Sequence, residues 1–167
     1  AWEQSGLKEM LDELTVAKQV DVPTSHIVAA LLVHRCLSAG SKLHAQRWFP
    51  TTALPMLLGM QPAKFNNSRV HRALTALDQV SEPLQERLAK TIADSQGSRF
   101  ISLFLDATDT WFVGKGPDMA HRGLTKEGLF REKVGIALLC NEDGQPLRWL
   151  SFPGNVNESK LSCSRAE

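Results

Sequence analysis

The sequence predicts an α+β fold: a helical, basic region over residues 1–97, followed by a three-stranded antiparallel meander within residues 98–167. Three observations lead there. Apolar residues recur at helical spacing as far as Ile92. Gln96-Gly97-Ser98 then breaks the pattern. Beyond it the apolar period shortens to about two, the spacing of a half-buried strand.

Each helix can be read from its stripe and its stops. Leu7, Leu11 and Leu14 share one face of a helix over residues 6–20, with Ser5 as its cap and Asp21-Val22-Pro23 as its end. Residues 24–39 form a second helix, apolar on most sides and expected to be buried. Gly40 closes it, and Ser41 caps a third helix from Lys42 to about Trp48. Pro50 and Pro55 leave room only for a short helix across residues 51–58. Asn66-Asn67-Ser68 opens the next, striped by Val70, Leu74, Leu77 and Val80. Ser81-Glu82-Pro83 restarts it, and Leu84, Leu88 and Ile92 carry the stripe onward.

The strands follow. Residues 100–106 read as a buried strand reaching as far as 113. Residues 114–128 look like a mobile polar loop. Residues 130–140 form a second strand, with Val134, Ile136 and Leu138 alternating. Glu142-Asp143-Gly144-Gln145 is a tight turn, so residues 146–152 pair back as a hairpin.

Composition narrows the function classes. The 167 residues are 43% hydrophobic and 22% charged, the balance of a water-soluble globular chain. No apolar run approaches the roughly 18 residues of a membrane span. The start shows no signal-peptide pattern and no Met, which fits a fragment or a processed chain. Cys36, Cys140 and Cys163 form no CxxC pair, so no zinc site is expected. Cys36 and Cys140 lie in apolar patterns and are expected to be reduced core residues of an intracellular protein.

The net charge of +1 hides an asymmetry. Between Asp21 and Asp78 there is no acid, while Arg35, Lys42, Arg47, Lys64, Arg69 and Arg72 all fall there. Such a stretch suits phosphate binding, because each neutralised phosphate releases counterions; a merely solvated basic surface is the alternative. Arg35, Lys42, Arg47, Arg69 and Arg72 are the DNA-contact candidates. Arg122 and Lys126, in the polar loop, either touch the same backbone or keep the loop solvated.

Asp106 is the candidate catalytic residue. It ends an apolar run, where a carboxylate is costly to desolvate without a partner. Thr108, a turn or a divalent cation would serve as that partner. Thr108 shares the face of Asp106 and is placed to orient its carboxylate. Asp109 falls on the opposite face and reads as a strand-end or turn acid.

Several segments, in order, resemble insertion-sequence transposases of the DDE class. They are Val33–Trp48, Val70-His71-Arg72-Ala73-Leu74, Phe104-Leu105-Asp106-Ala107-Thr108, Arg122-Gly123-Leu124-Thr125-Lys126 and Phe152-Pro153-Gly154-Asn155. The resemblance implies that residues 98–167 begin an RNase H-like domain. It implies Mg²⁺-dependent DNA cleavage and strand transfer, with three acids holding two metal ions and Asp106 as the first. The implied partner is double-stranded DNA at transposon ends, with self-association or full-length transposase as further partners and no membrane. The implied location is the bacterial cytoplasm, at the nucleoid.

The second Asp and the Glu of that family have no counterpart here, since Glu158 and Glu167 are misplaced for them. The chain is therefore expected to be a truncated portion, inactive by itself. The alternatives are a non-catalytic fragment that binds DNA or transposase, and a relic without function.

Overall fold

The computed structural model describes residues 6–15, 21–96, 103–114 and 116–156. The chain divides into two compact units, Ala1–Arg87 and Leu88–Glu167. The described residues form six α-helices and a four-stranded antiparallel sheet. Gly97, Ser98 and the expected cap Ser5 lie outside them.

In the first unit α1 (Leu7–Leu14), α2 (Thr24–Leu37), α3 (Lys42–Trp48), α4 (Leu54–Leu57) and α5 (Asn67–Gln79) follow one another. α6 (Ser81–Gln96) spans the division between the units. Two caps stand where the sequence places them. The Ser41 hydroxyl accepts from the His44 N–H at 3.1 Å, and the Asn66 side-chain oxygen accepts from the Arg69 N–H at 3.1 Å. Each satisfies a backbone donor that the first helical turn leaves unpaired.

The core of this unit joins Ile27 and Ala30 of α2, Ala45 of α3, and Val70 and Ala73 of α5. Phe49 and Phe65 stack at its centre, ring centroids 4.5 Å apart. This geometry corrects one expectation. Cys36 is exposed, not core. The inward stripe of α2 steps through Ile27, Ala30 and His34, and Cys36 falls off it.

The second unit carries β1 (Leu103–Phe112), β2 (His121–Leu124), β3 (Phe130–Asn141) and β4 (Pro146–Pro153). β3 is central. β1 runs along one of its edges. β2 and β4 share the other, β2 against residues 130–133 and β4 against residues 134–140.

The sheet thus has four strands instead of the expected three. β2 lies in the stretch read as a mobile loop. His-Arg-Gly-Leu has no alternation to betray it; its pairing comes from the turn that follows. The Thr125 N–H donates to the Leu129 carbonyl at 2.8 Å, and the Thr125 hydroxyl accepts from the Leu129 N–H at 3.1 Å. Gly128, at φ 79°, supplies the left-handed residue that this turn requires.

The β3–β4 turn is organised by Asn141, fully buried. Its side-chain oxygen accepts from the N–H groups of Asp143 at 3.2 Å and Gln145 at 2.8 Å. The core of the sheet is small: Ala107, Ala137 and Phe152, with Leu150 and Val156 packed against them.

Candidate functional site

Asp106 lies within β1, not at its end, and it is exposed. Its cross-strand partner is Leu138, whose own partner on β4 is Trp149. Thr108 stands two residues on, opposite Ile136, so both polar groups share one face. Phe104, Ile136, Leu138 and Trp149 leave apolar surface exposed on that face, Phe104 at 58%. The expectation of a buried strand is therefore corrected: β1 has β3 as its one neighbour among the described residues, and an edge strand stays solvated. The Asp106 carboxylate avoids desolvation by facing water.

Alternation sends Asp109 to the other face. It is not a strand-end acid; it sits inside β1 with its side chain 9% exposed. Lys133 of β3 reaches it diagonally, Nζ to Oδ2 at 3.0 Å, and the Lys126 N–H donates to the same oxygen at 3.1 Å. Lys133 Nζ also donates to the Leu124 carbonyl at 2.7 Å. The pair thereby ties β1, β3 and the end of β2 together. Gly135 lies directly opposite Asp109, and the Phe152 ring covers it. A cavity of about 200 Å³ adjoins this pair, bounded also by Thr108, Gly154 and Val156.

The cationic candidates separate by partner. Arg69 is ion-paired to Asp21 at 3.0 Å, and Lys64 donates to the same carboxylate. The Lys64 hydrogen bond and charge, with Arg69 behind them, hold Asp21 below the usual carboxylate range. Arg72 donates to the Ser68 carbonyl at 3.3 Å. Arg122 is in β2, its guanidinium 5.8 Å from the Phe130 ring centre. The Lys126 ammonium donates to the Ala107 carbonyl. Arg35, Lys42 and Arg47 are exposed on α2 and α3.

Two histidines of the acid-free stretch, whose pairing the sequence does not show, lie beside Arg35 and Lys42. His34 is 3% exposed, and its Nε2 is 2.9 Å from Nδ1 of His44. Trp48 meets the His34 ring edge-on at 5.2 Å. Burial, then the charges of His44 and Arg35, push the His34 pKa below its ordinary value. The i, i+10 separation carries no sequence signal, because a turn and a helix start intervene.

Mg²⁺ takes about six oxygen ligands, several of them waters, anchored by carboxylates. Asp106 offers one hard oxygen donor group. Among the described residues no three His, Cys, Asp or Glu side chains gather into a cluster that would hold a metal. Asp109, the nearest acid in sequence, faces away and is engaged by Lys133. These residues do not by themselves make a two-metal site. Among the described residues, too, no helix is long and apolar enough to cross a membrane. No family model matches the chain, and no curated protein or solved structure is significantly similar to it.

Proposed function

We propose that this chain is a portion of a DDE transposase. Its helical unit binds double-stranded DNA, and its sheet begins an RNase H-like domain that carries the first metal-binding acid. The observation that carries the reading is the placement of Asp106 and Thr108 two residues apart on one face of an edge strand of an antiparallel sheet, with the Asp106 carboxylate exposed. A carboxylate meant to meet a metal and a phosphodiester must be presented to solvent, and this one is. The acid-free run from Val22 to Leu77 supports the DNA role, since its cations outnumber the one flanking carboxylate that compensates Lys64 and Arg69.

Chemistry at two Mg²⁺ ions requires carboxylates beyond Asp106. The proposal therefore assigns DNA binding to this chain and cleavage only to an assembly that supplies the remaining acids. Binding to a full-length transposase is the corresponding partner role, at the nucleoid. The test is a pair of assays on duplex DNA with Mg²⁺. Binding with a steep salt dependence and no cleavage is expected. Robust turnover that Asp106→Asn abolishes would show a complete site in this chain and sink the assignment.

A further inference from the structure

The helical unit holds a cavity of about 240 Å³ between α2, α3 and α5. Its apolar side is Leu31, Ala45 and Leu74; His34 forms a wall, and Arg35 and Lys42 stand on the rim. We infer that this cavity seats one backbone phosphate of double-stranded DNA, clasped between the Arg35 guanidinium and the Lys42 ammonium. The inference rests on the DNA-binding reading and names its contact point.

Four features carry it. First, neither cation has a carboxylate or hydrogen-bond partner among the described residues, unlike Arg69 and Lys64, which share Asp21. Second, no acid occurs from Val22 to Leu77, so the field at the cavity is not cancelled by its own segment. Third, the apolar side lowers the local dielectric and strengthens a charge-assisted bond made there. An Arg fork and a Lys point charge across one cavity suit a tetrahedral oxyanion better than either suits a base edge.

The fourth feature is rigidity. The His34–His44 bond ties the end of α2 to α3 across the intervening turn. Gly40 makes that bond possible: a Cβ there would stand 2.7 Å from His44 Nδ1, the atom bonded to His34. Arg35 and Lys42 lie between the two joined histidines in sequence. The backbone that carries them is thus held before DNA arrives, which limits the conformational entropy lost on binding.

The test uses the full chain and a labelled duplex, with affinity measured over a range of salt concentrations. One neutralised phosphate contributes about 0.9 to the slope of log K against log salt. Arg35→Gln and Lys42→Gln should each weaken binding. The double variant should lose about 0.9 of slope in total, less than the sum of two independent contacts. Lys8→Gln, on α1 and paired to Asp12 at 2.7 Å, is the control and should leave the slope unchanged. Additive losses totalling about 1.8 would mean two separate phosphates and overturn the shared site. Wild-type affinity and slope in the double variant would overturn the cavity while DNA binding stands. Absence of salt-dependent binding by the wild type would overturn both.

Discussion

The carboxylate of Asp109 and the ammonium of Lys133 meet at 3.0 Å with side chains only 9% and 17% exposed. Three residues earlier Asp106 faces water. The two acids of one strand therefore have opposite physical roles. Removing one member of a buried pair leaves an uncompensated charge, at a cost of about 3–5 kcal/mol. Asp109→Ala should cost that much in urea unfolding, because it also strips the Lys126 N–H of its acceptor. Asp106→Asn should change stability by no more than about 0.5 kcal/mol. Equal effects at the two positions would refute this division.

Gly154 presses on the backbone of β3. A Cβ there would stand 2.0 Å from the Lys133 carbonyl oxygen, an atom that cannot rotate away. Gly154→Ala should therefore destabilise by about 1–3 kcal/mol, the usual cost of overpacking. At Gly128, where nothing lies within 4 Å, Gly128→Asn should be far milder despite the φ of 79°, since Asn tolerates the left-handed region. Thermal unfolding of both variants makes the comparison. A milder loss at Gly154 than at Gly128 would show that the turn after β4 has room to move.

Asn141 should be among the costliest polar residues in the chain to replace. Asn141→Ala removes the acceptor of two N–H groups and the donor to Gln145 Oε1 at 3.1 Å. Asp143 is exposed and Gln145 half-buried, so each lost hydrogen bond costs about 0.5–1.5 kcal/mol. Amide exchange at Asp143 and Gln145 should rise sharply in this variant while β1–β3 amides change little. Uniform loss of protection would instead mean that the turn nucleates the whole sheet.

The helices were legible because their signals are local. Ser41 and Asn66 announce helix starts through their own side chains, and the stripe of Val70 and Leu74 on α5 needs no partner to be seen. The sheet was half legible. Alternation marked β3 and placed Asp106 and Asp109 on opposite faces, but burial depends on what covers a strand, and no residue of β1 encodes that. The short strand β2 escaped because its pairing is imposed by the Thr125–Leu129 turn and not by its composition. At the candidate site, Asp106 and Thr108 were visible as an i, i+2 pair. The Asp109–Lys133 and His34–His44 contacts join residues from separate elements, which one chain read in order does not reveal.

Acid should weaken the helical unit in a defined window. His34 is held below the ordinary value of 6.5 by burial and by the charges of His44 and Arg35. His26 is lowered too, first by burial and then by Lys8, with Asp12 opposing. Well above pH 6.5 both histidines are neutral whether the chain is folded or not, and neither contributes a slope. As pH falls through 6.5 the unfolded chain takes up protons that the folded chain resists. The unfolded state then binds more protons, so stability falls with falling pH and levels off only below the folded pKa values. Asp21 adds a second, separate loss: its folded pKa is depressed by Lys64 and Arg69, so its contribution disappears as pH drops below 3.8. Urea midpoints measured at steps from pH 7.5 to pH 5 should decline steadily, in a range where Asp21 stays ionised in both states. His34→Gln should flatten that decline in part, leaving the share of His26. A midpoint that holds constant down to pH 5 in the wild type would show that His34 is protonated as readily in the fold as out of it.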